Sequence, residues 1–372
     1  MKIMKTLRMI MAFCMVILIS ITIAHAQTQP LSKYDKWLTP SYFRGFNATI
    51  WSNVIDDVLT QEDFNDLKAT GANLAILQTQ GLVKDTFPYG SNDPFYIEGL
   101  DALVNYCRNA GLYYVISVRS GPGRRDVWEE GEGLVKPSTI WTNKKEQKLY
   151  ANMLKEIVQK YLGDKLFVGL DMIQEPNPYG DDAYGLPLDV LDRRLTADGI
   201  DVNHIYSIFI DSIRTVDPDL PLIVQSVHWS DPEYFSLIEL QDDDKIIYNT
   251  HCYNPHEYSH ADKPKRSKYP GTFWVNTLDR EEFWDKDFIR NTILAPVRAF
   301  QVKHNVPILL GEFGLQYAQG GGKQYLTDMV EIAYEFGWHF TFWSFRADPV
   351  FNYELMGKNY WNTVCDLMTY SP

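Results

Sequence analysis

The sequence predicts a single-domain α/β protein built as a closed (β/α)8 TIM barrel. From Tyr42 onward, short β-rich runs alternate with amphipathic helical stretches, which is the pattern of a parallel sheet covered by helices. There are eight such runs, the number that closes a barrel, and no linker, repeat or low-complexity tract divides them. In chain order, the predicted strands are Phe43–Asn47, Asn73–Gln78, Tyr113–Val118, Phe167–Ile173, Leu222–Val227, Ile246–His251, Ile308–Gly311 and His339–Trp343.

Helical patterns fill the intervals between these runs. Thr60 and Asp63 have the spacing of a capping box, in which a hydroxyl and a carboxylate satisfy free N–H groups at a helix start. Lys144–Tyr161 and Gly199–Val216 repeat apolar side chains with the helical period. These stretches are therefore predicted to be helices that cover the barrel.

Two longer insertions follow predicted strands four and six. Asn177–Leu195 is rich in Gly, Asp and Pro, and Asn254–Asp279 is rich in Pro, Lys and Tyr. Loops that follow barrel strands build the face that carries the active site, so both insertions are expected to shape a substrate cleft.

The first 26 residues are predicted to be a cleavable signal peptide. Lys2, Lys5 and Arg8 precede an apolar core, and Ala24-His25-Ala26 fits a cleavage site before Gln27. The apolar core is too short to favour a permanent membrane anchor. We therefore expect residues 27–372 to form the barrel domain of a secreted or periplasmic protein that has no membrane contact after signal removal.

Charge and cysteine content narrow the range of partners. The formal net charge of −13 becomes −16 without the three cationic residues of the signal, which argues against a nucleic-acid partner. The three remaining cysteines are Cys107, Cys252 and Cys365, an odd number far apart in sequence, and they do not form a disulfide framework. A neutral substrate and a fold stabilised by its core are the simplest expectations.

The strongest chemical signal is a pair of glutamates at strand ends. Glu175 follows the fourth predicted strand and Glu312 follows the apolar run of the seventh. In a parallel barrel, both positions lie at the face where catalytic groups are placed. Hydrolysis of a glycoside with retention needs two carboxyl groups about 5 Å apart, one as acid and one as nucleophile. The pair therefore predicts a retaining glycoside hydrolase.

Motifs around these glutamates resemble family 5 of the glycoside hydrolases over nearly the whole mature chain. The similar segments are Arg44-Gly-Phe-Asn47, Gln174-Glu-Pro176, His251-Cys-Tyr253, Gly311-Glu-Phe-Gly314 and Trp343. The resemblance implies that Glu175 is the acid/base, that Glu312 is the nucleophile and that no cofactor or metal is needed. It implies action on a β-linked polysaccharide or oligosaccharide, as an endo-β-1,4-glucanase of the cellulase type or, alternatively, as a β-mannanase or an exo-acting β-glycosidase.

Further residues are expected to support the glutamates or the substrate. An arginine such as Arg44 can keep a nearby carboxylate ionised, and Tyr253 can donate its hydroxyl to Glu312. His251 is expected to bind the substrate or a catalytic carboxylate, and Trp343 to offer an apolar face to the sugar. Two further substrate contacts, His228 and Trp229, are predicted after strand five. The division of roles calls for a raised pKa at Glu175 and a lowered pKa at Glu312.

Two positions depart from the family pattern. Gln174 stands where the family has an asparagine that binds the 2-hydroxyl of the sugar, and Val118–Arg124 replaces the segment with the family's histidine. Either the loop retreats to accommodate the longer amide, or another group, such as Asn177, binds that hydroxyl.

Two other classes of function are also weighed. His256, Glu257 and His260 match the His-Glu-x-x-His pattern of zinc peptidases, but Pro255 and Pro264 leave little room for the helix that this motif needs. A carbohydrate-binding barrel without turnover is the other alternative, because of Gln174 and the missing histidine.

Overall fold

A computed structural model describes residues 30–49, 51–52, 57–79, 94–124, 128–129, 133–134, 138–261 and 268–370. The predicted signal peptide, residues 1–26, lies outside the described residues. The barrel belongs to the unit Lys33–Pro372. Among the described helices, none is both long enough and apolar enough to cross a bilayer.

Eight parallel strands close into a barrel, which confirms the predicted fold class. Each strand pairs with the strands before and after it in the chain, and the first pairs with the last. The strands are β1 (Arg44–Thr49), β2 (Leu74–Thr79), β3 (Tyr113–Val118), β4 (Phe167–Asp171), β5 (Leu222–Gln225), β6 (Ile246–His251), β7 (Ile308–Phe313) and β8 (His339–Phe342). All eight predicted strands are present, with ends that shift by at most two residues.

The α-helices of four or more residues in the described part of the chain precede, separate and follow these strands, and most of them bury their apolar faces against the outside of the barrel. They are α1 (Lys33–Leu38), α2 (Gln61–Ala69), α3 (Pro94–Ala110), α4 (Lys144–Lys160), α5 (Leu188–Asp198), α6 (Val202–Arg214), α7 (His256–Ser259), α8 (Ala295–His304), α9 (Gly322–Phe336) and α10 (Lys358–Thr369). The predicted capping box of Thr60 and Asp63 begins α2. Short strand pairs also occur in the loops, at Trp51–Ser52 with Asp57–Val58, at Trp128–Glu129 with Gly133–Leu134, and at Gly271–Val275 with Arg280–Trp284.

The lower half of the barrel interior is apolar. Inward positions recur every second residue along a strand, and near the amino ends they carry the side chains of Leu74, Val115, Ile223 and others. Trp37 of α1 packs against this layer and closes the amino end of the barrel. Its indole N–H donates to the carbonyl of Val168 at 2.8 Å. This layer supports the polar layer above it.

The same alternation becomes polar toward the carboxyl ends of the strands. In β2, Leu74 and Ile76 belong to the apolar interior and Gln78 is the next residue of the same parity. In β6, Ile247 is followed at the same spacing by Asn249 and then by His251. The upper interior is therefore lined by buried amides and titratable groups.

Register shifts in β6 and β7 alter this alternation at the top of the barrel. The pairing of β6 with β7 shifts between Thr250 and His251, so that His251 lies opposite Glu312. Gly311 precedes Glu312, and a Cβ there would overlap the side-chain amide of Asn249. The irregular register and the glycine together bring the Glu312 side chain over the barrel interior.

Candidate active site

Backbone contacts on both sides fix Glu175 above β4. The residue has a positive φ of 50°, which is uncommon for a non-glycine residue. Its N–H donates to Oε1 of Gln225 at 3.0 Å, and its carbonyl accepts from Arg124 at 3.0 Å. Gln225 is itself fixed, because its Nε2 donates to Asp171 at 2.6 Å. The local strain is therefore held by a buried hydrogen-bond chain.

The Glu175 carboxylate has charged or chargeable neighbours. His251 Nδ1 lies 3.0 Å from Oε1, and an Arg119 guanidinium nitrogen lies 3.4 Å from Oε2. Arg119 is the first residue after β3, at the site where the sequence departs from the family histidine.

The Glu312 carboxylate has neutral hydrogen-bond donors. Oε1 accepts from Gln78 Nε2 and, at 2.7 Å, from Gln174 Nε2. Oε2 accepts from the hydroxyl of Tyr253 at 2.9 Å, which is the contact expected from the sequence. The amide of Gln174 therefore faces the second glutamate.

The two glutamates are close together and share one histidine. One carboxylate oxygen of Glu175, one of Glu312 and a ring nitrogen of His251 all lie within 4.8 Å of one another. Both glutamates are buried, with exposures of 9% and 4%. This separation matches the value of about 5 Å found in retaining glycosidases and is shorter than the 6.5–9.5 Å or so of inverting ones.

The pKa values of Glu175 and Glu312 are shifted in opposite directions. Burial tends to raise the pKa of Glu175, but the hydrogen bond to His251 and the charge of Arg119 outweigh it, and the pKa is lowered. At Glu312, burial and the negative charge of Glu175 raise the pKa, although His251 opposes them. Burial tends to lower the pKa of His251, but the two glutamates raise it. Both pKa shifts are opposite to those expected from the sequence.

The same three residues are the group of potential metal ligands found among the described residues. Their carboxylate oxygens already accept hydrogen bonds from Gln78, Gln174 and Tyr253. A guanidinium group beside Glu175 adds a positive charge at this position. The donor set suits two carboxyl groups that exchange a proton better than it suits a bound cation.

A cavity of about 330 Å³ extends from Glu175 toward the loops after β5 and β6. Four carboxyl groups line it, those of Glu175, Asp181, Asp231 and Glu233, and no lysine or arginine is among its described lining residues. Burial raises the pKa of Asp231 to about 8, with the neighbouring charge of Glu233 adding to the effect. A carboxyl group with that pKa is largely uncharged at neutral pH, so the described lining is polar and aromatic and offers no lysine or arginine to a negatively charged ligand.

Comparison with known proteins decides the family. Residues 32–349 match the family model described as Cellulase (glycosyl hydrolase family 5). The chain belongs to glycoside hydrolase family 5. The resemblance predicted from the motifs is thus confirmed.

Individual members of family 5 are distant in sequence. Endoglucanase C of Acetivibrio thermocellus is 21% identical over an alignment of 238 positions, which covers 58% of this chain and 62% of that protein. Cellodextrinase A of Ruminococcus flavefaciens is 25% identical over an alignment of 235 positions, which covers 60% of this chain and 61% of that protein. The chain spans about three-fifths of the length of these curated relatives.

Solved structures with similar coordinates show the same fold. An endoglucanase from Thermotoga maritima matches with a TM-score of 0.65 at 15% identity, over 91% of this chain and 99% of that chain. The cellulose synthase subunit Z of Clostridioides difficile matches with a TM-score of 0.61 at 16% identity, over 88% and 99%. At such identities, the similarity supports the barrel itself.

Arg44 is the clearest correction to the sequence-based family 5 site. It lies at the start of β1, at the opposite end of the strand from the glutamates, and its guanidinium contacts the hydroxyl of Tyr334 on α9 at 3.5 Å. Successive side chains along a strand point to opposite faces of the sheet. Phe43 belongs to the barrel interior, so the next residue, Arg44, points toward the helices. Asn47, from the same motif, is inside the barrel, where its amide donates to the carbonyl of Gly311 at 2.8 Å.

Of the aromatic residues predicted only to contact substrate, two line the cavity beside Glu175, and Trp343 is not among its described lining residues. Trp229 and His228 line the cavity beside Glu175, but the His228 ring stacks on Tyr234 at 3.8 Å and its Nε2 lies 3.1 Å from the carbonyl of Ala183. Burial lowers the pKa of His228 to about 4, so the ring is neutral and packed in place. Trp343 lies directly after β8 and is half-buried. Its backbone N–H donates to the backbone carbonyl of Phe313 at 2.9 Å.

The zinc-peptidase pattern does not assemble as a metal site. His256 and His260 stack ring on ring at 4.0 Å, at the ends of the four-residue helix α7. The carboxylate of Glu257 accepts the backbone N–H of Trp274 at 3.2 Å. Within the described residues, this motif does not form a group of three ligand atoms.

Sequence reasoning missed several site residues. Five such residues contact Glu175, Glu312 or a residue hydrogen-bonded to one of them, namely Gln78, Arg119, Arg124, Asp171 and Gln225. A usable signal was present, because Gln78 and Arg119 end or directly follow apolar strands, as the glutamates do.

Proposed function

We propose that this chain is a retaining glycoside hydrolase of the cellulase type that cleaves internal bonds of β-1,4-linked glucan. The observation that carries the proposal is the pair of buried carboxyl groups within 4.8 Å of each other at the carboxyl ends of β4 and β7. The names of the relatives, endoglucanase and cellodextrinase, support the substrate class.

In the first step, Oε2 of Glu312 attacks the anomeric carbon. The bond from that carbon to the leaving oxygen breaks, and the proton of Glu175 moves to that oxygen. A covalent ester between the sugar and Glu312 results. In the second step, Glu175 removes a proton from water, the water oxygen bonds to the anomeric carbon, and the ester bond breaks to restore the Glu312 carboxylate.

The two glutamates are close enough for the protonation of one to change the pKa of the other. Two carboxyl groups this close do not both ionise easily, so they titrate as a pair, and protonation of one lowers the pKa of the other. When Glu175 holds the proton, the negative charge lies on Glu312, where Gln78, Gln174 and Tyr253 donate to it. We propose that substrate in the cavity excludes the remaining water from the carboxyl group of the 9%-exposed Glu175, which favours its protonated form.

The cavity beside Glu175 refines the substrate. Its described lining contains no lysine or arginine that could pair with a carboxylate on a sugar, such as that of a uronic acid. We therefore infer a neutral glycan. Mannan is tested beside glucan, because Cel5A of Thermotoga maritima, a structural neighbour, has been solved in one complex with cellobiose and in another with mannotriose.

We also propose that the protein acts outside the cytoplasm. The pattern of residues 1–26 supports this, since a charged segment, an apolar core and a small-residue site follow in order. Mass spectrometry of the protein recovered from its source should find an amino terminus at Gln27. An intact Met1 on the bulk of the protein would contradict the proposal.

The test of the activity is product release from soluble β-glucan, mannan, xylan, xyloglucan, polygalacturonate and aryl β-cellobiosides. Glu312→Gln serves as the inactive variant, and Glu156→Gln, an exposed residue of α4, serves as the matched control. We expect activity on a neutral β-glucan that persists in Glu156→Gln and vanishes in Glu312→Gln. Binding of glucan without product release by the folded wild-type protein would favour the carbohydrate-binding alternative.

A further inference from the structure

The orientation of two buried amides can be assigned from their surroundings. The Nδ2 of Asn47 lies 2.8 Å from the carbonyl oxygen of Gly311 and 3.2 Å from that of Phe342. Carbonyl oxygens only accept hydrogen bonds, so this side of Asn47 must be its NH2 group. Its Oδ1 then faces Gln78, and the atom of Gln78 that meets it at 3.4 Å must be Nε2.

The same Nε2 of Gln78 donates to Oε1 of Glu312. An NH2 group has two hydrogens, and in this arrangement both are used, one toward Asn47 and one toward Glu312. Gln174 adds a second amide donor to the same carboxylate oxygen at 2.7 Å. Both glutamines are buried, with exposures of 6% and 1%, so water does not compete easily for these contacts.

The two oxygens of Glu312 are therefore not equivalent. Oε1 accepts two amide N–H groups, whereas Oε2 accepts the single hydroxyl of Tyr253, with His251 at 3.6 Å. We propose that Gln78 and Gln174 are positioning residues that hold Oε1 of Glu312 and leave Oε2 as the attacking oxygen. This inference rests on the proposed function.

The chemistry of the covalent step fits such a pair of amides. When Oε2 bonds to the anomeric carbon and the leaving group departs, Oε1 becomes the carbonyl oxygen of the ester. A neutral amide donates both to a carboxylate oxygen and to an ester carbonyl, so Gln78 and Gln174 keep their contacts on both sides of the step. The carboxylate is thus held in one rotation throughout the reaction.

The test uses methionine variants, since methionine keeps the length of glutamine and removes the N–H donors. Gln78→Met and Gln174→Met are compared with Gln147→Met, a control at a glutamine that is 5% exposed and donates to the carbonyl of Ile140 at 2.8 Å. The substrate is 2,4-dinitrophenyl β-cellobioside, whose leaving group departs without a proton, so its kcat/KM reports attack by Glu312.

We expect kcat/KM to fall at least about tenfold in Gln78→Met and in Gln174→Met, and to change less than about threefold in the control. We also expect the acidic limb of the pH profile to move to higher pH in both variants, because loss of a donor to the carboxylate raises the pKa of Glu312. A purely structural role would not move this limb.

An unmoved acidic limb together with losses equal to those of Gln147→Met would overturn the inference. If one variant fails to fold, as judged by circular dichroism, the other decides. Full activity in Glu312→Gln would instead reject the proposed function. An inactive Glu312→Gln beside normal Gln78→Met and Gln174→Met would reject only the positioning role.

Discussion

The two sides of the barrel mouth hold the same type of side chain in different surroundings. On the Glu175 side, the carboxylate lies beside Arg119 and the shared His251. On the Glu312 side, the carboxylate accepts hydrogen bonds from Gln78 and other neutral donors. In the proposed mechanism, the charged groups beside Glu175 control its proton, and the amides beside Glu312 fix the geometry of its carboxylate.

Replacing each glutamate should give the largest contrast between the two sides. Glu312→Gln removes the attacking oxygen, and we expect a loss of about 10⁵-fold or more on every substrate. Glu175→Gln removes only the acid, so we expect a loss of about 10³-fold on β-glucan and a much smaller loss in bond cleavage of the dinitrophenyl glycoside. Pre-steady-state release of dinitrophenol measures this step. Equal losses in both variants on both substrates would contradict the separate roles.

Shortening Gln174 should have an intermediate effect on the Glu312 side. In Gln174→Asn the amide retreats by about 1.5 Å and loses its bond to Glu312, so we expect kcat/KM on β-glucan to fall more than about tenfold. The measurement is steady-state kinetics beside the wild type. Preserved or increased activity would show that the amide binds the sugar instead.

Neutralising Arg119 should alter the pH dependence on the Glu175 side. Its positive charge favours the ionised form of Glu175, so Arg119→Met should raise the pKa of that group. A higher pKa keeps the acid protonated to higher pH, and the alkaline limb of kcat/KM should move up by about 0.5–1 pH unit. The dinitrophenyl substrate, which needs no acid, is the control. A limb that moves down would contradict this account.

The smallest predicted effect is on protein stability and concerns Asp171, which accepts a hydrogen bond from the Gln225 side chain that holds the Glu175 backbone. Burial raises the pKa of Asp171 to about 6, although Ser117 and Gln225 donate to its carboxylate. The unfolded carboxyl ionises near pH 3.8, so the folded protein loses stability as the pH rises from about 4 through 6. An asparagine does not titrate, so between pH 4 and pH 7 the free energy of unfolding of Asp171→Asn should fall by about 2 kcal/mol less than that of the wild type. Urea unfolding of both proteins at pH 4 and pH 7 measures it, and an equal pH dependence in both would refute it.

Much of the fold was accessible from the sequence because the signals are local. Eight apolar runs and their helical intervals give the barrel, and residues at the end of a run, such as Glu175, fall on its active face. Alternation along the strand also places Gln78 inside and Arg44 outside, since each can be counted from an apolar neighbour in the barrel interior. The error at Arg44 came from following a motif without that count.

Other features of the site depend on contacts that the sequence does not encode locally. Gln78 and Glu312 are 234 positions apart, and their hydrogen bond exists only because the barrel closes. The register shift beside His251 and the positive φ of Glu175 redirect two side chains in a way that strict alternation does not predict. The pKa shifts follow from these contacts, so they too had to come from the structure.

The most direct test of the central claim is covalent trapping of the proposed intermediate. The wild-type protein is incubated with 2,4-dinitrophenyl 2-deoxy-2-fluoro-β-cellobioside, which slows hydrolysis of the ester, and the labelled peptide is identified by mass spectrometry. We predict one fluorocellobiosyl group on Glu312, and no label in Glu312→Gln. A label on Glu175, or hydrolysis of β-glucan with inversion and no labelled peptide, would contradict the assignment of the two sides.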